Sequence, residues 1–320
     1  MEAFMQTLSR LFKITLGPAL LLLAAISVHA QAQNPSATVP IRAVVTVVGK
    51  NYTEPPKVTK DDVQVYDGKD KLTVSEWVPA QGDRGALDFA VVIDEETSTD
   101  LGLQLNDIKD FIKETPAGTR VAVFYAANGT VKIAQDFTAD HDAAAKSVRL
   151  PLGNGGAYSS DYLSVIDLMK RWPASGARRE MLLVADGIDR FRGDFPSSPD
   201  LDNAIARAQR SGIIIHTIFA RGVGFIGRNF FRASLGQSNL SKIAEETGGE
   251  SFFQGMETPI AYAPFLKQLN FVLNNQYLVT ALNKPAKKAS LRRIRVRTEI
   301  GGVDISAPES WWVPAAGGAE

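Results

Sequence analysis

The run Phe89-Ala90-Val91-Val92-Ile93 is apolar without interruption and ends in Asp94-Glu95-Glu96. Successive side chains of a strand point to opposite faces, so a strand apolar at every position must be covered on both. Helices supply such cover when they serve as crossovers between parallel strands. The sequence from 84 to 274 has the parts for this. Val121–Tyr125, Met181–Ala185 and Ile213–Phe219 are apolar runs of the same kind, and Glu250–Phe253 reads as a short fifth strand. Leu101, Leu105, Ile108 and Ile112 fall at helical spacing and predict a helix over 100–113. Further helices are expected over 161–172, 201–210, 240–246 and 264–273. Val131–Phe137 is expected to return antiparallel beside the strand at 121–125. The alternation implies an α/β fold with a doubly wound, mostly parallel sheet.

The flanks read differently. Ile41–Val48, Val63–Tyr66 and Leu72–Val78 in the segment 31–83 have β patterns, as do Gln276–Leu282, Leu291–Ile300 and Trp311–Pro314 in the segment 275–320. The expectation is one small β module built from both segments, beside the α/β domain. Residues 1–30 have the layout of a cleaved signal peptide. Arg10 and Lys13 precede an apolar run, Ile14–Val28, and Val28-His29-Ala30 offers small or apolar residues at the cleavage positions. The run is shorter than the roughly 20 residues that span a bilayer, and Gly17-Pro18 interrupts it. An exported protein is expected, periplasmic or at the cell surface, with no membrane span after cleavage. Cysteine is absent, so neither disulfides nor thiol-linked lipid can form.

Charge gives no reason to expect nucleic acid. The chain carries 35 basic and 35 acidic residues; losing Glu2, Arg10 and Lys13 with the leader leaves 33 and 34, a net −1. In the basic run 292–297, Ile294 and Val296 alternate with arginines, as on a strand with one solvated face.

In open α/β sheets, ligands bind beyond the carboxyl ends of the strands. Two such ends here are acidic, Asp94-Glu95-Glu96-Thr97-Ser98 and Asp186-Gly187-Ile188-Asp189, and the glycine loop Gly153–Ser160 lies between them in sequence. Carboxylates and hydroxyls suit a hard divalent cation. The order of these elements resembles the von Willebrand factor A domain. More narrowly, the chain resembles the VWFA-related proteins of acidobacterial type, through Asp94, Asp186-Gly187, the phrase Val63-Gln64-Val65-Tyr66-Asp67-Gly68-Lys69, the phrase Gln276-Tyr277-Leu278-Val279 and the basic strand after it. The resemblance implies a Rossmann-type sheet and a metal-ion-dependent adhesion site with the pattern Asp-x-Ser-x-Ser, a threonine, then an aspartate. Asp94, Ser98 and Asp186 match that pattern. Glu96 replaces the first serine, and Ala157 falls where the threonine belongs. A degenerate site is therefore expected, with two readings open: Mg2+ or Mn2+ held by Asp94, Glu96, Ser98 and Asp186, or no metal, with the aspartates only capping loops.

After Phe219 comes a glycine-rich insertion, 221–232, whose Arg221, Phe225, Arg228, Phe230 and Phe231 are candidate contacts to a protein partner. The alternative is that Phe230 and Phe231 fold back to cover the sheet. No catalytic residues are expected. Of three histidines, His29 leaves with the leader and His216 sits inside an apolar strand; a nucleophile elbow and a phosphate loop are both missing. The function implied is non-enzymatic binding of an unidentified protein. A structural part of an envelope assembly is the alternative, and a hydrolase using Asp94 and Asp186 a distant one.

Overall fold

The structure is a computed structural model, and it describes residues 38–153, 159–193, 198–223 and 229–316. The leader, Ala157, Phe225 and Arg228 lie outside the described residues. In chain order, β1 (Val39–Gly49), β2 (Val63–Asp67) and β3 (Asp70–Pro79) precede the α/β part. That part contains β4 (Leu87–Asp94), α1 (Leu105–Lys113), β5 (Thr119–Ala127), β6 (Thr130–Thr138), α2 (His141–Ser147), α3 (Asp161–Arg171) and β7 (Arg178–Ala185). It continues through α4 (Pro199–Ser211), β8 (Ile213–Phe219), α5 (Phe230–Thr247), β9 (Ser251–Phe252) and α6 (Ala263–Asn274). β10 (Gln276–Asn283), β11 (Ser290–Thr298), β12 (Val303–Ser306) and β13 (Ser310–Val313) close the chain.

The α/β sheet has six strands in the order β6-β5-β4-β7-β8-β9. It is mixed: β6 is antiparallel to β5, as its sequence predicts, and the other pairings are parallel. Every residue of β4 is buried, which is the condition its apolar run demanded. Phe89, Val91 and Ile93 face a core completed by α1, α2 and α6, whereas Ala90 and Val92 face one completed by α3, α4 and α5. Helices thus cover both faces.

The flanking segments correct the expectation of a small module. They form a seven-stranded sheet, β12-β1-β10-β3-β2-β11-β13, larger in strand number than the α/β sheet and antiparallel at every pairing. β10 lies between β1 and β3, paired with β1 over eight residues and with β3 across a bulge, so the C-terminal segment zips the N-terminal strands together. Trp77 and Tyr277 stack at 4.6 Å on this sheet.

Two helices also differ from expectation. The segment 99–113 splits into a 3-10 turn, Thr99–Leu103, capped by Ser98 accepting from the Asp100 N–H, and α1. Helix α5 begins at Phe230, ten residues before the predicted start, with the Asn229 side chain accepting from the Phe231 and Arg232 N–H groups. Phe230 and Phe231 therefore belong to a first helical turn. Among the described residues, no helix is long and apolar enough to cross a membrane.

Candidate functional site

Asp94 and Asp186 occupy matching places at the ends of adjacent parallel strands, β4 and β7. Asp94 Oδ1 accepts the Glu96 N–H at 3.0 Å, and Asp186 Oδ1 accepts the Ile188 N–H at 3.0 Å. Each aspartate thereby closes its own turn two residues on. The Asp186 loop is pinned from above as well: Tyr162 Oη and Asn239 Nδ2 donate to the Gly187 carbonyl at 2.7 and 3.1 Å. The turn at Gly187 has φ +73°, in the left-handed region.

A third carboxylate completes the group. Asp161 is the first residue of α3, where an acidic side chain also complements the helix dipole. Its side chain is buried. Carboxylate oxygens of Asp94, Asp161 and Asp186 lie within 4.8 Å of one another. Asp94 Oδ2 and Asp161 Oδ2 are buried without a hydrogen-bond partner among the described residues. Sequence reasoning missed Asp161, which reads as an ordinary acidic residue in the first turn of a helix; its place directly after Ser159-Ser160 was the available signal.

A cation already serves this cluster. Arg190, in the loop after β7, contacts both Asp186 oxygens and holds Glu96 Oε2 at 2.9 Å. Its side chain is only 15% exposed. Gly222 makes room for it: a Cβ there would lie 2.2 Å from Asp186 Oδ2 and 2.7 Å from Arg190 Nη2. Ser98 is turned away to its capping role, its hydroxyl donating to Asp100 Oδ2 at 2.9 Å. Of the four residues the sequence offered as ligands, then, Ser98 caps, Glu96 and Asp186 pair with Arg190, and Asp94 keeps one oxygen open. As arranged, these residues do not fit a divalent ion, because the guanidinium occupies the Asp186 oxygens such an ion would need.

Burial pushes the Asp94 carboxyl well above the usual range, with the charges of Asp161 and Asp186 adding to it and Arg190 opposing. Burial also raises Asp161, reinforced by Asp186 and again opposed by Arg190. A carboxyl raised on folding binds a proton that the unfolded chain releases, so its contribution to stability falls as pH rises from near 3.8 towards the folded value. The expected result is that Asp161→Asn raises the melting temperature at neutral pH. The gap between variant and parent should narrow as pH drops from about 7.5 to about 5, followed by thermal melts in matched buffers. A constant gap across that window would contradict the assignment.

Glu95 points elsewhere. It pairs with Arg149 and accepts the Leu152 N–H at 2.8 Å, while Arg149 lies 3.8 Å over the Tyr125 ring. Arg221 bridges loops, its guanidinium paired with Glu257 and 3.5 Å from Asp100, and its carbonyl accepts the Ser98 N–H. Val223 N–H donates to the Glu96 carbonyl. The loops at the carboxyl end of the sheet are thus tied into one surface.

Apolar side chains stand out from that surface. Of the nine large apolar side chains exposed among the described residues, eight lie in segments at this end of the sheet; Ile133 on β6 is the exception. Leu103, Phe230 and Phe231 are 80, 70 and 62% exposed.

Neither a family model nor a curated protein matches this chain. The solved structures similar to it include von Willebrand factor A domains. The von Willebrand factor type A protein from Catenulispora acidiphila has 11% identity and a TM-score of 0.44, over 88% of this chain and 75% of that one. An aerotolerance-related membrane protein from Bacteroides fragilis has 15% identity and a TM-score of 0.42, over 59% of this chain and 99% of its own. BatB from Bacteroides thetaiotaomicron has 10% identity and a TM-score of 0.42, over 58% and 96%. The α/β assignment of the chain itself stands on its strand order and its two helical layers.

Proposed function

We propose that this chain is an exported, VWFA-related, non-enzymatic module that binds a protein partner through the loops at the carboxyl end of its α/β sheet, with a degenerate metal site beneath them. The observation that carries this reading is the concentration of exposed leucine and phenylalanine at that one end. Isolated exposed apolar residues are ordinary on any protein, but grouping at the end where α/β folds bind ligands is not. A rigid base adds support: the loops are joined by backbone hydrogen bonds from Ser98 to Arg221 and from Gly153 to Glu95. The non-enzymatic part is supported by the burial of Asp94, Asp161 and Asp186 and by the pairing of Asp186 with Arg190, which keep these three carboxylates away from a substrate in solution. Export is supported by the N-terminal layout of Arg10, Lys13 and the apolar run after them.

The test is quantitative capture from an envelope extract of the source cells on immobilised protein. The triple variant Leu103→Ser, Phe230→Ser, Phe231→Ser is expected to lose the captured partner by roughly tenfold or more, since central apolar anchors contribute above about 1 kcal/mol each. Its melting temperature should stay near that of the parent, because all three side chains are exposed. Ile133→Ser on β6 should capture normally. Undiminished capture by the triple variant would sink the reading.

A further inference from the structure

We propose that Arg190 is the resident cation of the Asp94–Asp161–Asp186 cluster, holding the place a divalent ion would take, and that shortening it turns the cluster into a divalent-cation site. The inference goes beyond the binding reading and stands whether or not a partner docks above it.

Three independent features support it. The guanidinium lies between Glu96 and Asp186, with Nη1 at 2.9 Å from Glu96 Oε2 and 3.3 Å from Asp186 Oδ1. Its planar fork matches carboxylates as a point charge does not, and it stays charged at any pH the fold survives. Second, Gly222 leaves the space that the Arg190–Asp186 pair fills, where any Cβ would overlap both side chains. Third, two buried oxygens on members of the cluster, Asp94 Oδ2 and Asp161 Oδ2, have no hydrogen-bond partner among the described residues. Without the guanidinium, four carboxylates would face one another in a buried place, and only protons or an added cation could balance them. Three of them already bring oxygens within 4.8 Å of each other, close enough for one hard cation. The sequence hints at this exchange. Arg190 stands four residues after Asp186 in the loop where the resemblance places the last metal ligand.

Thermal melting of the full protein with EDTA or with millimolar Mn2+ tests the proposal. The parent should melt at the same temperature in both. Arg190→Ala should melt lower than the parent in EDTA and gain roughly 5 °C at a hundredfold excess of Mn2+ over its dissociation constant. Adding Asp161→Asn should abolish the Mn2+ response and recover part of the loss in EDTA, because one buried charge has been removed. Recovery of folding by Mn2+ in an Arg190→Ala protein that is unfolded in EDTA also supports the proposal. A parent that is itself stabilised by Mn2+ overturns it. So does a folded Arg190→Ala protein that melts identically in EDTA and Mn2+. Failure of both Arg190→Ala and the double variant to fold, with Mn2+ or without, overturns it too, since Arg190 would then be needed for packing rather than charge.

Discussion

Replacing Glu180 by alanine is expected to destabilise the protein by about 3–5 kcal/mol, the cost of stripping one partner from a buried ionic network. Glu180 is fully buried on β7. It accepts from His216 Nε2 at 2.9 Å and from Gln276 Nε2 at 3.1 Å, and lies 3.4 Å from Arg178 Nη1. His216 Nδ1 accepts the Glu250 N–H at 3.0 Å, so the other ring nitrogen is the donor and the imidazole is neutral in this arrangement. Burial works against the charge of Glu180, but the His216 hydrogen bond and the Arg178 charge outweigh it and hold the carboxyl below its usual range. A lowered carboxyl contributes stability that is present above its unfolded value of 4.5 and lost as pH falls through the folded one. Arg178 pairs with Gln276 on β10 and reaches the carbonyls of Ala80, Gly85 and Leu273, the points where the chain passes between the two sheets. The network therefore joins the antiparallel sheet to the α/β part. Alanine at 180 would leave Arg178, His216 and Gln276 without their shared acceptor. Urea melts of the variant at neutral pH measure the loss, and one below about 1 kcal/mol would show that the network adds little.

The second large effect is expected at Gly236, in the middle of α5. On an exposed helix face, glycine to alanine gains about 1 kcal/mol through helix propensity. Here a Cβ would lie 1.9 Å from the Asp186 carbonyl oxygen, and across the contact a Cβ at Gly187 would lie 2.4 Å from the Gly236 carbonyl. Both obstacles are backbone, so no side chain can rotate aside. Overpacking of this kind costs about 1–3 kcal/mol and sometimes more, which exceeds the propensity gain. Gly236→Ala is expected to lose about 2 kcal/mol in thermal and urea melts. It should also shift the Asp186 loop, because α5 fixes that loop from above through Asn239. A variant as stable as the parent would contradict the close approach of α5 to the Asp186–Gly187 turn.

How much of this was legible beforehand depends on the range of the interaction. Asp94 and Asp186 could be picked out because each ends an apolar run, a local pattern with a direct spatial meaning. The four strands β4, β5, β7 and β8 were legible for the same reason. The size and strand order of the large antiparallel sheet were not, since they depend on pairings such as Arg42 with Thr280, set by contacts more than 200 residues apart. The first ten residues of α5 were hidden because Gly236, Ser234, Ser238 and Asn239 are poor helix formers; tertiary packing and the Asn229 cap override them. Asp161 and Arg190 were illegible as partners. Each looks like an exposed charge in its own segment, and only the fold places a helix N-terminus, two strand ends and a loop arginine together.

Crystals of the protein grown in millimolar Mn2+ and measured for anomalous scattering test the arrangement most directly. The expected map has the Arg190 guanidinium between Glu96 and Asp186 and no manganese peak among Asp94, Asp161 and Asp186. A manganese peak at the cluster, with Arg190 swung out to solvent, would contradict the account.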